Sequence, residues 1–188
     1  MKKKGLNSAV KWALQMTALS FVITILLTLA ADRALAGARL AAALAMVALF
    51  VVLNVVTDMF GMAVATASHK PFHSMSARRV AGAAESLMFL RSADRVASFC
   101  SDVIGDVCGI VSGASSATIV ILVVRDGNFD ATVTALIVSG LLAGLTVGGK
   151  ALGKPLAMKH NTEIVLFVGK IIHTYKRLKH KLRKRAKR

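Results

Sequence analysis

The stretch VASFCSDVIGDVCGIVSGASSATIVILVV, residues 96–124, decides the fold: 29 residues whose only charges are Asp102 and Asp106. As a helix it would be about 43 Å long, against about 30 Å of bilayer hydrocarbon. A run of this length and apolarity reads as a membrane span. Asp102 and Asp106 lie four apart, so a helix presents them on one face. An acid inside a bilayer is costly to keep there and therefore marks a functional position. The preceding apolar run repeats the spacing with Asn54 and Asp58. Two helices that each offer two oxygen-bearing groups can line a site for a hard cation or a proton.

Three further apolar runs accompany this one, from about Val10 to Ala31, Leu40 to Ala67 and Ala131 to Gly149. The whole chain is 55% hydrophobic with a mean hydropathy of +0.63, too apolar for a soluble domain of 188 residues. The expectation is an all-α membrane protein of four transmembrane helices. Three segments divide it: an N-terminal anchor over 1–38, a transmembrane domain over 39–160 and a basic amphipathic helix over 161–188. The N-terminal run is near 20 residues, longer than the about 7–15 of a signal-peptide core, so it reads as a retained anchor.

Charge sets the expected orientation. Of the 25 Lys and Arg residues, 22 precede the first span, lie between the second and third, or follow the fourth. The positive-inside rule then places both termini and the middle loop in the cytoplasm, here of a bacterial inner membrane. Residues 72–95 space Met75, Val80, Leu87, Met88 and Leu90 at helical intervals between charges, which predicts one or two juxtamembrane helices on the cytoplasmic surface. Pro71 predicts the end of the helix before it. Residues 148–155, GGKALGKP, predict an irregular exit from the fourth span. Asn161 or Thr162 is expected to cap a final helix whose apolar stripe includes Ile164, Val168, Ile171 and Leu178. From Lys170 to Arg188 that helix holds ten basic residues and no acid. Such a helix binds anionic lipid headgroups, and with Tyr175 its only aromatic residue, no nucleic-acid partner is expected.

Glycines recur every fourth residue in the third span (Gly105, Gly109, Gly113) and the fourth (Gly140, Gly144, Gly148), a pattern that lets helix backbones approach closely in lipid, within one chain or between subunits. Cys100 and Cys108, eight apart on one helix, are too distant to pair and read as buried free thiols. Asp58 and Asp106 are the leading candidate cation ligands, assisted by Asn54, Asp102, Ser101 and neighbouring serines. No enzymatic activity is expected: intramembrane aspartyl proteases carry Gly-x-Gly-Asp, whereas here the sequence is Val103-Ile104-Gly105-Asp106.

Three short motifs fall in a familiar order. The first is TDMFGMAVATAS over 57–68. The second is Gly105-Asp106 near the start of the third span. The third is Gly149-Lys150-Ala151-Leu152-Gly153-Lys154, followed by Leu156-Ala157 and Thr162-Glu163. Over roughly residues 40–170 this resembles the transmembrane domain of the CorC/cyclin-M magnesium transporters, without the CBS domains that usually follow. The family pattern has Asn where Asp106 stands, Glu where Lys150 stands and Pro where Gly153 stands. The resemblance implies a homodimer that binds and moves Mg2+, with Na+ as a coupling ion. A different reading of the same residues is a non-transporting anchor or scaffold that binds anionic lipid or a partner through its basic face.

Overall fold

The structure, a computed structural model, describes residues 2–127 and 129–185. Every regular element among them is helical. In chain order these are α1 (Lys2–Leu35), α2 (Leu40–Thr66), α3 (His69–Ala77), α4 (Ala83–Leu90) and α5 (Ala93–Ser98). A π-helical segment (Phe99–Ile104) comes next, then α6 (Gly105–Gly127), α7 (Ala131–Lys159) and α8 (Asn161–Arg185). Four stretches are long and apolar enough to cross a membrane: Val10–Leu35, Leu40–Thr66, Ala93–Gly127 and Ala131–Lys159. Only a helix or a closed barrel satisfies its own backbone in lipid, so runs of this composition fold as uninterrupted helices. The chain is a membrane protein built on these four.

The chain forms two compact units. The first comprises Met1–Thr57 and Phe99–Ala151. In it α1 packs along α6. Its core holds Ala31, Phe50, Val107, Cys108 and Val111, extended by Leu35, Ala43 and Ile119. The outward surfaces of α1 and α7 are apolar, with Phe21, Leu26, Leu136, Leu141 and Leu145 exposed. That is the composition a lipid-facing surface requires.

The second unit comprises Asp58–Ser98 and Leu152–Arg188. Its core gathers Ala63, Val64, Ala67, Phe72, Leu87, Leu90, Ala157 and Val165. Phe60 and Phe89 meet edge to face with centroids 5.6 Å apart. α2 ends at Thr66, before His69-Lys70-Pro71, where the sequence places the end of that helix. Ser68 takes an extended conformation, and Pro71 falls in the first turn of α3, where its missing N–H has no intrahelical partner to lose. α3 ends with paired backbone bonds, Val80 N–H to Met75 O and Arg79 N–H to Ser76 O, and Arg79 turns left-handed at φ 55°. Residues 69–98 therefore form three short helices where the spacing predicts one or two, and the third of them, α5, opens the third apolar stretch.

α8 crosses α4 where two glycines meet. Gly82 and Gly169 touch through their backbones, and a Cβ on either would strike main-chain atoms of the other helix. Gly82 also adopts φ 86°, which disfavours any other residue. Ser86 Oγ lies 2.9 Å from Gly82 O and 3.1 Å from Val165 O, so its proton ties the two helices. Glu85, with only 12% of its side chain exposed, accepts from His173 Nδ1 at 3.4 Å and faces Lys176 Nζ at 3.6 Å. Burial pushes the Glu85 carboxyl up, but a backbone N–H, His173 and Lys176 together outweigh it and hold the group below the usual range.

Three expectations need correction. Residues 148–155 are not an irregular exit: α7 continues through them to Lys159 with Pro155 inside. Only one backbone N–H is lost there, and a long helix tolerates that where a free loop in lipid would expose many groups. Asn161 and Thr162 do not serve α8 as caps. Asn161 instead donates from Nδ2 to Thr66 O at 3.2 Å, closing the end of α2, and Thr162 Oγ1 donates to Asn161 Oδ1. The third span is not one regular α-helix, because the π-helical segment interrupts it.

Candidate functional site

Asn54 sits on α2 inside the first unit and is 3% exposed. Its side chain lies over the glycines of α6. A Cβ built on Gly105 would stand 3.2 Å from Asn54 Oδ1, and one on Gly109 would stand 3.7 Å from Nδ2. The small residues here make room for a polar side chain as well as for a backbone. Asn54 Oδ1 is buried and has no hydrogen-bond partner. A buried amide oxygen without a partner costs about 1–3 kcal/mol.

Two more groups border the same space. Cys100 O is 3.5 Å and Lys150 Nζ 3.7 Å from the position of a Gly105 Cβ. Cys100 belongs to the π-helical segment, as do Ser101 and Asp102. Such wide turns displace backbone carbonyls from the regular ladder and recur at functional positions. The segment falls where the regular helix would otherwise carry Ser101 and Asp102 at α-helical angles.

The remaining candidates separate by burial. Asp58, one turn along α2 from Asn54, is 5% exposed. Asp102 and Asp106 are both exposed, and Ser101 is half-buried. Asp102 lies in the π-helical segment and Asp106 in the first turn of α6, both on the outside of the first unit. Ser112 Oγ donates to Gly109 O at 2.9 Å and Ser116 Oγ to Gly113 O at 2.6 Å, so each hydroxyl proton is used within α6. Ser115 Oγ is buried and unpartnered. Both cysteines are buried.

Among the described residues no three His, Cys, Asp or Glu side chains gather as a metal site. A cation held here must therefore draw on neutral oxygens besides carboxylates. The apolar cavity of about 580 Å³ bordered by Leu44, Val51, Val55, Leu145 and Gly149 offers it none.

The fourth-span ladder behaves differently from the third. Positions 140, 144 and 148 face open space, and Gly149, outside the ladder, meets Val55 instead. Lys150 is the residue that sequence reasoning passed over. α7 carries its ammonium to 3.7 Å from the place a Gly105 Cβ would take. The available signal was its position in the third motif, where the resemblance has glutamate. Comparison with known proteins adds no assignment: no family model, curated protein or solved structure matches this chain.

Proposed function

We propose that this protein binds a divalent cation, Mg2+, and moves it across a bacterial inner membrane. The observation that carries the reading is the buried, unpartnered Asn54 Oδ1 over Gly105, beside a π-helical turn. Mg2+ is a hard cation that takes oxygen ligands at about 2.0–2.1 Å and gives up its waters reluctantly. Asn54 offers a buried neutral oxygen, and the sequence reading adds Ser101 with the carboxylates of Asp102 and Asp106, both of which are exposed on the first unit. Asp58, the other leading ligand of the sequence reading, is buried within the second unit. These oxygens replace hydration oxygens, and Na+ is the coupling ion that the resemblance suggests. The working form is a homodimer with both termini and the α3–α5 segment cytoplasmic. Lys and Arg on α8 then lie against anionic lipid, each adding about 1 kcal/mol of attraction.

The test is Mg2+-dependent thermal stabilisation of the purified protein. At 100 times the dissociation constant a bound ion adds about 2.7 kcal/mol, which a melt detects. Asn54→Leu, Asp58→Asn and Asp106→Asn should each reduce the shift while the metal-free protein stays folded. Equal Mg2+ shifts in the wild type and all three variants would refute the reading. The alternative, a lipid-binding anchor, requires α8 and none of these residues.

A further inference from the structure

We infer that α8 carries a second apolar face, Phe167, Ile171, Tyr175 and Leu178, that seats in the headgroup region of an anionic leaflet. This rests on the placement of α8 against anionic lipid, adds the side chains that enter it, and is independent of the cation reading.

The sequence offers α8 one apolar stripe, and packing in the second unit divides it. Val165 and Gly169 are buried and meet α4 at Ser86 and Gly82. His173 and Lys176 continue that side, both facing Glu85. Phe167, Ile171, Tyr175 and Leu178 are instead exposed, by 64%, 53%, 66% and 56%. At 3.6 residues per turn they fall on one stripe, about a third of a turn round the helix from the α4 contact and about 17 Å long. The glycine contact with α4 thus fixes which face of α8 is left outward.

Charge selects what covers that face. Lys170 and Arg177 flank the stripe on one side and Lys179 on the other, and all three are exposed. From Lys170 to Arg188 there are ten basic residues and no acid. A two-fold contact with a second copy through this stripe would set two such helices together, like charge against like. An anionic leaflet supplies the opposite charge, and long basic side chains reach it while their stems cover apolar surface. Tyr175, with an apolar ring and a polar tip, suits the same boundary. The chain also delivers α8 there: the fourth membrane-length helix ends at Lys159 and α8 begins at Asn161. A helix of this kind lies in the interface with its apolar face about 5–10 Å into the headgroup boundary. One side of α8 then holds α4 and another holds the membrane.

The experiment places the full chain, lacking Cys100 and Cys108, in nanodiscs of phosphatidylglycerol or of phosphatidylcholine, each with acyl chains brominated to quench fluorescence. An environment-sensitive fluorophore is attached to a single cysteine, Ile171→Cys on the stripe or Arg177→Cys on its flank. In phosphatidylglycerol, quenching at position 171 should exceed that at 177 by at least about twofold, and it should fall by at least about half in phosphatidylcholine. Lys170→Gln with Lys179→Gln should lower quenching at 171 in the same way. If Ile171→Cys does not fold, Tyr175→Cys carries the same comparison. Equal quenching in the two lipids overturns the inference. Quenching at 177 and not at 171 overturns it too, while the placement of α8 against lipid stands. Quenching at neither position refutes both. Crosslinking of Ile171→Cys between two copies, without quenching, makes the stripe a protein interface and overturns the inference.

Discussion

Replacing Gly169 with alanine adds one methyl group at the tightest contact in the second unit. The new Cβ would overlap Gly82 O and Ser86 Oγ and lie 3.3 Å from Gly82 C. Gly82 O belongs to the α4 backbone and cannot rotate aside, so α4 and α8 must separate. Overpacking of this kind costs about 1–3 kcal/mol. The separation also lengthens the Ser86–Val165 hydrogen bond, now 3.1 Å, which is worth about 1 kcal/mol. Alanine's better helix propensity returns about 1 kcal/mol. The net loss is about 1–3 kcal/mol, and a chain of this size loses about 2–4 °C of melting temperature per kcal/mol. Thermal unfolding in detergent reads the loss, and limited proteolysis should release α8 first. Gly144→Ala is the control, because the space around Gly144 is open, so that variant should melt at or slightly above the wild type. The reasoning is refuted if Gly169→Ala melts with the wild type, or if Gly144→Ala loses as much.

Two further outcomes follow from charge. The folded-state Glu85 carboxyl is held below its ordinary value, so its contribution is present above the unfolded pKa of about 4.3 and is lost as pH falls through the lower folded value. Melting temperature should therefore drop on acidification below that range, and Glu85→Gln should flatten this dependence while melting lower at neutral pH. Orientation is checked by single cysteines at positions 126 and 174 in a background lacking Cys100 and Cys108. An impermeant thiol reagent should label position 126 and not 174 in intact cells, and the reverse pattern would invert the topology.

The four membrane-length helices were legible in the sequence because their signal is one-dimensional. Some twenty apolar residues in a row have one stable conformation in lipid, whatever they pack against. Asn54 and Asp58 stood out for the same reason, as polar groups in apolar runs, and both are buried. The sequence also marked Asp102 and Asp106 as sharing a face. It could not say that this face points outward, because burial depends on which neighbour covers it. The glycine pattern was equally visible, but a pattern records small size and not what fills the space. The tertiary structure set Asn54 over Gly105 and Gly109 and left Gly140, Gly144 and Gly148 open. The contact of two glycine backbones fell to Gly82 and Gly169, which belong to no ladder and lie 87 residues apart. Lys150 shows the limit most directly. Composition counts it among the basic residues after the fourth span. Only the continuation of α7 past Gly149 sets its ammonium near Gly105 of α6, because a side chain's place is fixed by the helix that carries it and the helix it packs against.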